Sequence, residues 1–365
     1  MSVESLPSIL FPKTTAGVVV SERGALTIAD AYACVRCLAD SAASLPLHVF
    51  RRTPGGRVRA DDTVAAALLK RPAPAMTQAT LVGQIVAHVA LHGEAFVALF
   101  TDPAGNVAQL GCVPPNIVGV ELIDGRPVYN WADLYGNPIQ AGVEQVVHIK
   151  PFTYDGIRGV SPIREARESF GFASALVTHG SAFFANGARP AGILSVPEGP
   201  HAEELLENLR ANWTASHAGP KNAGRTGFLS GEVTFTNVQM SLSDAEFLSS
   251  REFSTREVAR IFRVPSWMIN GSSADSLTYS TVAEQARAFV TFSLRPYLVH
   301  IEQALGASPL FAPGTYCQFE LDGLLRGDPK ARAEVYSAAL NSETGWMNRA
   351  EVRALEDLPP EGGAA

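Results

Sequence analysis

The sequence predicts an α+β fold, on three observations. A strand-rich stretch occupies residues 95–150, where short β-like runs alternate with Gly/Pro/Asn/Asp turns. Three long helical patterns follow, over 161–187, 243–264 and 281–305. Between the first two lies a short module, 191–241, that reads strand, helix, loop and strand.

The elements follow in order. Thr27 opens a helix whose apolar positions Ile28, Tyr32, Val35, Leu38, Ala39 and Ala42 fall on one face. Leu47–Phe50 then alternates toward a Thr53-Pro54-Gly55-Gly56 turn, a hairpin signal. Helices over Asp62–Lys70 and Thr77–His92 come next. The expected strands are Glu94–Phe100, Val107–Val113, Ile117–Leu122, Pro127–Trp131 and Val143–Ile149. Turn clusters at Asp102–Asn106, Asp124-Gly125 and Gly136–Pro138 separate them.

Ser161 as N-cap and Pro162 at the first helical position open the first rod. It runs to Asn186-Gly187, and roughly 25 residues span about 37 Å. Ser243–Glu246 is a capping box for the second rod, which stops at Val264-Pro265. Thr281–Glu284 is another, opening the third, and Pro296 predicts a kink inside it. The intervening module reads strand (192–196), helix (201–213), loop, and strands (227–229 and 232–238). Tyr316–Leu321 is an alternating strand. Helices over 329–340 and 348–356 close the chain, the latter with Asn348 and Glu351 as a capping pair.

Composition limits function. The 365 residues carry a net charge of −7 and are 18% charged, below the roughly 25% of ordinary soluble domains. An apolar content of 46% excludes disorder throughout, and the acidic balance excludes a strongly basic nucleic-acid binder. The shortage of charge suggests surface that expects another protein. Met1–Leu10 lacks the basic start of a secretory leader. Apolar runs such as Ile85–Leu91 fall well short of the roughly 20 residues of a membrane helix. Four cysteines make no disulfide framework in a chain this long.

The candidate chemical motifs fail on context. Gly219–Thr226 fits a phosphate loop apart from Arg225 in the lysine position. A phosphate cradle needs a strand before it and a helix after it, and here that order is reversed, with Pro220 removing an amide donor. Cys34 and Cys37 have metal-type spacing but lie within an amphipathic helix, with no second ligand pair. His88 and His92 share a helix face without the zincin glutamate, since Val89 occupies its place. No GxSxG elbow exists, and basic residues do not cluster with aromatics as single-strand binding requires. Composition and spacing alone give a non-catalytic architectural protein.

The order of blocks resembles the portal proteins of tailed bacteriophages, the head–tail connectors, including those of prophages and gene transfer agents. Ala31–Ala39 with Ala43–Phe50 looks like the family's opening helix and strand. Gly159–Ile163 is similar to its stem-helix entrance, and Phe183–Pro190 to its stem-to-clip passage. Glu257–Pro265 resembles the end of its second stem helix, and Leu324–Asp328 with Asn348–Arg353 its closing segment.

The resemblance implies a portal fold: α/β wing, two-helix stem, small α/β clip insert, kinked tunnel helix and short helical crown. Residues 1–160 would be the wing, with 316–326 returning a strand to it. Residues 161–190 and 242–265 would be the stem helices, 191–241 the clip and 266–280 the tunnel loop. Residues 281–306 would form the kinked helix and 327–365 the crown. It further implies a homo-oligomer, a dodecamer, at one capsid vertex of a virion or phage-like particle made in a bacterial cytoplasm. Double-stranded DNA would pass through it in transient, sequence-independent contact. Its protein partners would be the major capsid protein, the terminase large subunit and a head–tail adaptor protein, with no membrane. The terminase would supply ATP hydrolysis, so no catalytic residue, cofactor or metal is expected in this chain.

A conduit must not hold its cargo, and many Lys/Arg contacts would do so through counterion release. The loop around Asn270, Ser272, Ser273, Asp275, Ser276 and Thr278 is small, polar and uncharged except for Asp275. It is expected to line the narrowest point of the channel; the alternative is an ordinary solvated loop between helices. Phe183, Phe184, Asn186, Gly187 and Arg189 are the expected stem–clip passage.

Overall fold

The computed structural model describes residues 13–133, 135–185, 193–195, 207, 234–236, 243–270, 279–321, 329–341 and 345–355. The chain divides into two compact units. One comprises 1–37, 87–94 and 152–271; the other comprises 38–86, 95–151 and 272–365. The expected wing, 1–160, contributes residues to both.

In the first unit, a short α1 (Glu22–Ala25) is capped by Ser21, whose side chain accepts from the Gly24 amide. The helix α2 (Ala29–Ala43) begins here, with Ile28, Ala31, Cys34 and Val35 buried. Burial pushes the Cys34 thiol up to about 12, with Cys37 and Asp30 adding to it. That disfavours the thiolate a metal would need. The chain later forms α5 (Pro162–Glu165) and the longer α6 (Arg167–Ala185). The sequence predicts one unbroken rod from Pro162; instead Ala166 adopts φ −96°, ψ 23° and separates a first turn from the main helix. The helix α7 (Ser243–Ile261) packs on α6. Contacts of Phe170 with Phe262 and of His179 with Phe247 run in opposite chain senses, so the two helices are antiparallel. A Cβ at Gly180 would lie 3.1 Å from the Phe247 ring, so glycine there permits close approach.

The helix α7 ends with Arg263 at φ +59° and the Val264 amide reaching back to the Ala259 carbonyl, a Schellman-type stop before Pro265. A short α8 (Trp267–Asn270) follows. In the insert, β9 (Ile193–Ser195) pairs antiparallel with β10 (Thr234–Thr236), joining the two outer strands expected there. Glu207 within the expected 201–213 helix is helical; the rest of that helix, strand 227–229 and the Gly219–Thr226 loop lie outside the described residues.

The second unit holds three three-stranded sheets. Strands β1 (Leu47–Thr53) and β2 (Gly56–Arg59) form the expected hairpin, with Gly56 at φ +124° in its turn. The late strand β11 (Thr315–Phe319) adds to β1 on the other side, giving the order β11-β1-β2. Inward positions Leu47, Val49, Cys317 and Phe319 are buried, as the period of two requires. The helix α3 (Val64–Lys70) packs on β1, and Thr63 caps it. Gln78, opening α4 (Gln78–His92), accepts from the Leu47 amide and donates to the Leu47 carbonyl. That clamps the start of the strand like another peptide.

A second sheet, β4-β3-β8, comprises β3 (Ala95–Thr101), β4 (Val107–Val113) and β8 (Val146–Ile149). A third, β5-β6-β7, comprises β5 (Gly119–Ile123), β6 (Arg126–Ala132) and β7 (Pro138–Ala141). The strand β7 is absent from the expected list, because Pro138 reads as part of a turn; it is the first residue of an edge strand, where proline costs no ladder bond. Phe96, Ala98, Val113, Tyr129, Ala141 and Val146 form a shared core, with Trp131 packed against it.

The third long helix starts at Tyr279, two residues before the expected cap. It comprises α9 (Tyr279–Ala288), a π-helical segment (Phe289–Leu294) and α10 (Arg295–Gly306). Pro296 cannot donate to the Phe292 carbonyl, and its ring would crowd it. The wider winding just ahead of Pro296 relieves that conflict without ending the helix. Leu298, Ile301 and Leu305 are buried, and α10 packs on β11, where Glu302 accepts from the Phe319 amide at 2.7 Å. The helices α11 (Pro329–Ala339) and α12 (Arg349–Leu355) complete the described chain. Asn348 and Glu351 form the expected reciprocal cap at 2.8 and 2.9 Å. Among the described residues no helix is long and apolar enough to cross a membrane.

Candidate functional site

The antiparallel pair α6/α7 is the main described part of the expected stem, and its entrance is tied to the end of α4 and to Glu22 by several contacts. The helix α4 ends at His92, and Gly93 at φ +77° makes the left-handed stop, its amide bonded to the Val89 carbonyl. A Cβ on Gly93 would fall 1.9 Å from the Val160 carbonyl oxygen, and one on Gly159 would fall 2.3 Å from the Gly93 oxygen. Two backbone segments therefore cross where no side chain fits.

Buried carboxylates lock the crossing. Glu94, 2% exposed, accepts from the Gly159 amide at 2.7 Å and pairs with Arg158. Glu22 is also buried; it accepts from Arg164 Nε at 2.7 Å and lies 4.0 Å from His92 Nδ1. Ser161 fulfils its expected cap role, accepting from the Arg164 amide. It also donates to the Leu91 carbonyl at 2.8 Å, so one hydroxyl starts α5 and ties it to α4. Further along, Glu168 accepts from the Thr15 amide, and Thr255 of α7 donates to Asp30 of α2.

Each of these acids meets a cation or a donor, which fits a rigid joint. His88 and His92 of α4 sit edge to face, 6.4 Å apart. Burial, followed by the charge of His92, lowers the His88 pKa to about 4. The His92 pKa is also lowered, by burial and the arginines, against Glu22 and Glu94, which raise it. The unfolded chain takes up the His88 proton near 6.5 and the folded chain only near 4. Stability from His88 is thus full above about pH 7 and is lost as pH falls, by about 3 kcal/mol in the limit. Urea unfolding from pH 7.5 to 4 should show that loss, and His88→Gln should flatten it; an unchanged slope in the variant would contradict the assignment.

Of the expected site residues, Phe183 and Phe184 belong to α6 and Asn270 to α8, as backbone. Asn186, Gly187, Arg189, Ser272, Ser273, Asp275, Ser276 and Thr278 lie outside the described residues, as does Leu324–Asp328. Sequence reading missed the entrance carboxylates Glu22 and Glu94, whose partners are 142 and 65 positions away. The glycines at 93 and 159 were the available signal.

A second correction concerns basic–aromatic clustering. The solvent face of β11-β1-β2 gathers His48, Phe50, Arg52, Arg57, Arg59 and Tyr316 through cross-strand pairs Phe50↔Tyr316 and Arg52↔Arg57. The two ring-bearing strands are separated by more than half the chain, so no local pattern shows it.

The phage portal protein family matches residues 29–357, and the chain belongs to that family. It is 36% identical to the probable portal protein of Streptomyces phage phiC31, over 94% of this chain and 77% of that one. It is 27% identical to the portal protein of Enterobacteria phage HK97, over 93% and 81%. Among solved structures, a chain of the virion of a native gene transfer agent particle superposes with TM-score 0.65 at 23% identity, over 96% of each chain. A chain of the neck of a native particle, computed with C12 symmetry, gives 0.63 at 23% identity, over 93% and 95%.

Proposed function

We propose that the chain is the subunit of a ring-shaped channel at one capsid vertex, through which double-stranded DNA is packaged and ejected and onto which a tail or adaptor attaches. Membership of the portal family across residues 29–357 carries this reading. The twelve-fold neck containing a similar fold supports a dodecamer. Residues 161–190 and 242–265 then act as the stem, 191–241 as the clip, 266–280 as the tunnel loop and 327–365 as a short crown. The role is structural: a terminase large subunit supplies the energy, and the major capsid protein and an adaptor grip the ring.

Mild acidity suits a conduit, since it repels the phosphate backbone and keeps the duplex sliding. The tunnel loop makes only brief contacts through its hydroxyls, with Asp275 as its single charge. Negative-stain imaging and mass measurement of assembled particles test the ring; a monomer that turns over nucleotide would overturn it. In particles carrying Asp275→Ala with Ser272, Ser273 and Ser276 replaced by Ala, the ring should assemble normally while packaging or retention of DNA changes. Unchanged DNA content would remove the loop from the mechanism.

A further inference from the structure

The outward face of the β11-β1-β2 sheet has no part in the channel reading, and its organisation is specific. Phe50 and Tyr316 stack with centroids 5.8 Å apart and planes at 29°. Arg57 lies 4.9 Å over the Phe50 ring and Arg52 lies 5.3 Å over the Tyr316 ring. Gln318 holds Arg57 Nη1 at 2.6 Å, so that guanidinium is fixed by a ring and a hydrogen bond together. Beside them, Arg59 Nη2 lies 2.7 Å from His48 Nδ1, and the other His48 nitrogen lies 3.1 Å from Glu320.

The charges are unequally satisfied. Arg51 meets Asp62 at 3.3 Å and Arg59 meets Asp61 at 3.5 Å. Among the described residues, Arg52 and Arg57 have no carboxylate partner. Protection of a sheet edge accounts for a charge on β2. It does not account for Arg52 on the central strand, nor for two guanidiniums laid flat on aromatic rings.

We propose that this face is a sequence-independent DNA-contact site, in which Arg52 and Arg57 engage backbone phosphates. A guanidinium stacked on a ring still presents N–H donors at its edge, of which Arg57 spends one on Gln318; it loses little rotamer freedom on binding, and its fork matches phosphate oxygens. Charge complementarity selects a polyanion. On the channel reading above, on which this choice rests, the polyanion at hand is duplex DNA, whose backbone repeats phosphate groups whatever the sequence. With only two arginines lacking a carboxylate partner among the described residues, the contact is weak and exchanging, which lets DNA touch the protein without being held.

Fluorescence anisotropy of a labelled duplex against the assembled protein, over a range of salt, tests this. The Arg52→Ala/Arg57→Ala variant should bind on the order of tenfold more weakly at low salt, with the log–log salt slope smaller by about 2. The control Arg71→Ala/Arg126→Ala removes two exposed arginines of the same unit away from this face and should bind as the parent does. Equal affinity and slope in the first variant would overturn the proposal. So would an equal loss in the control, or tighter binding of polyglutamate than of DNA at matched charge. Both variants change exposed side chains, and circular dichroism checks that they remain folded.

Discussion

Replacing Gly93 with alanine should lower stability by about 3 kcal/mol or more, shifting thermal unfolding of the 365-residue chain down by roughly 4 °C or more. Two costs add. The positive φ strains any L-residue, and the new methyl would lie well inside van der Waals distance of the Val160 carbonyl. Gly105→Ala separates them, because Gly105 has φ +88° with nothing within 4 Å of a built Cβ. That control should cost only about 1 kcal/mol. Calorimetry of the two variants side by side decides the matter; equal shifts would mean that the backbone crossing has room to relax.

Glu94→Ala should be the next most damaging change, at about 2–3 kcal/mol. Removing the carboxylate takes away the acceptor of the Gly159 amide and the ion-pair partner of Arg158. A fully buried pair broken in this way costs about 3–5 kcal/mol. Arg158 is 40% exposed at its side chain and can turn toward water, which reduces the loss. Glu94→Gln keeps an acceptor for Gly159 and should fall between the parent and Glu94→Ala. A double-mutant cycle with Arg158→Ala should return a coupling of about 1 kcal/mol or more. Additive single effects would mean that Glu94 acts through the amide alone.

These sites show what local sequence carries and what it does not. Ser161-Pro162, Asn348 with Glu351, and the Gly56 turn were legible because each signal and its effect lie within four residues. The strand order β11-β1-β2 was not, since nothing in Thr315–Phe319 names Leu47–Thr53 as its neighbour. The entrance joint failed for the same reason: Glu94 and Arg158 are ordinary surface residue types until the fold brings them together. The π-helical segment was readable only as trouble at Pro296, because a kink and a rewinding are alternative answers to one missing donor. The rods were legible because their period repeats over many turns, whereas the architectural reading rested on composition and on motifs that failed on context. The residues expected to meet DNA in the channel were placed by the resemblance, with smallness and polarity in accord with it.

The winding of Phe289–Leu294 has a consequence for how the long helix is geared. A π turn takes up one more residue than an α turn, so it advances the sequence without advancing the rod. Deleting one residue inside it would let the helix close as a regular α-helix with Tyr279–Ala288 still oriented as before relative to Leu298, Ile301 and Leu305, whereas the same deletion in a regular α-helix would rotate the two halves by about 100°. The wide turn therefore lets this helix carry one additional residue while its two halves keep their relative faces. A relative with that residue missing, and a regular α-helix in its place, would aim the same set of side chains in the same direction.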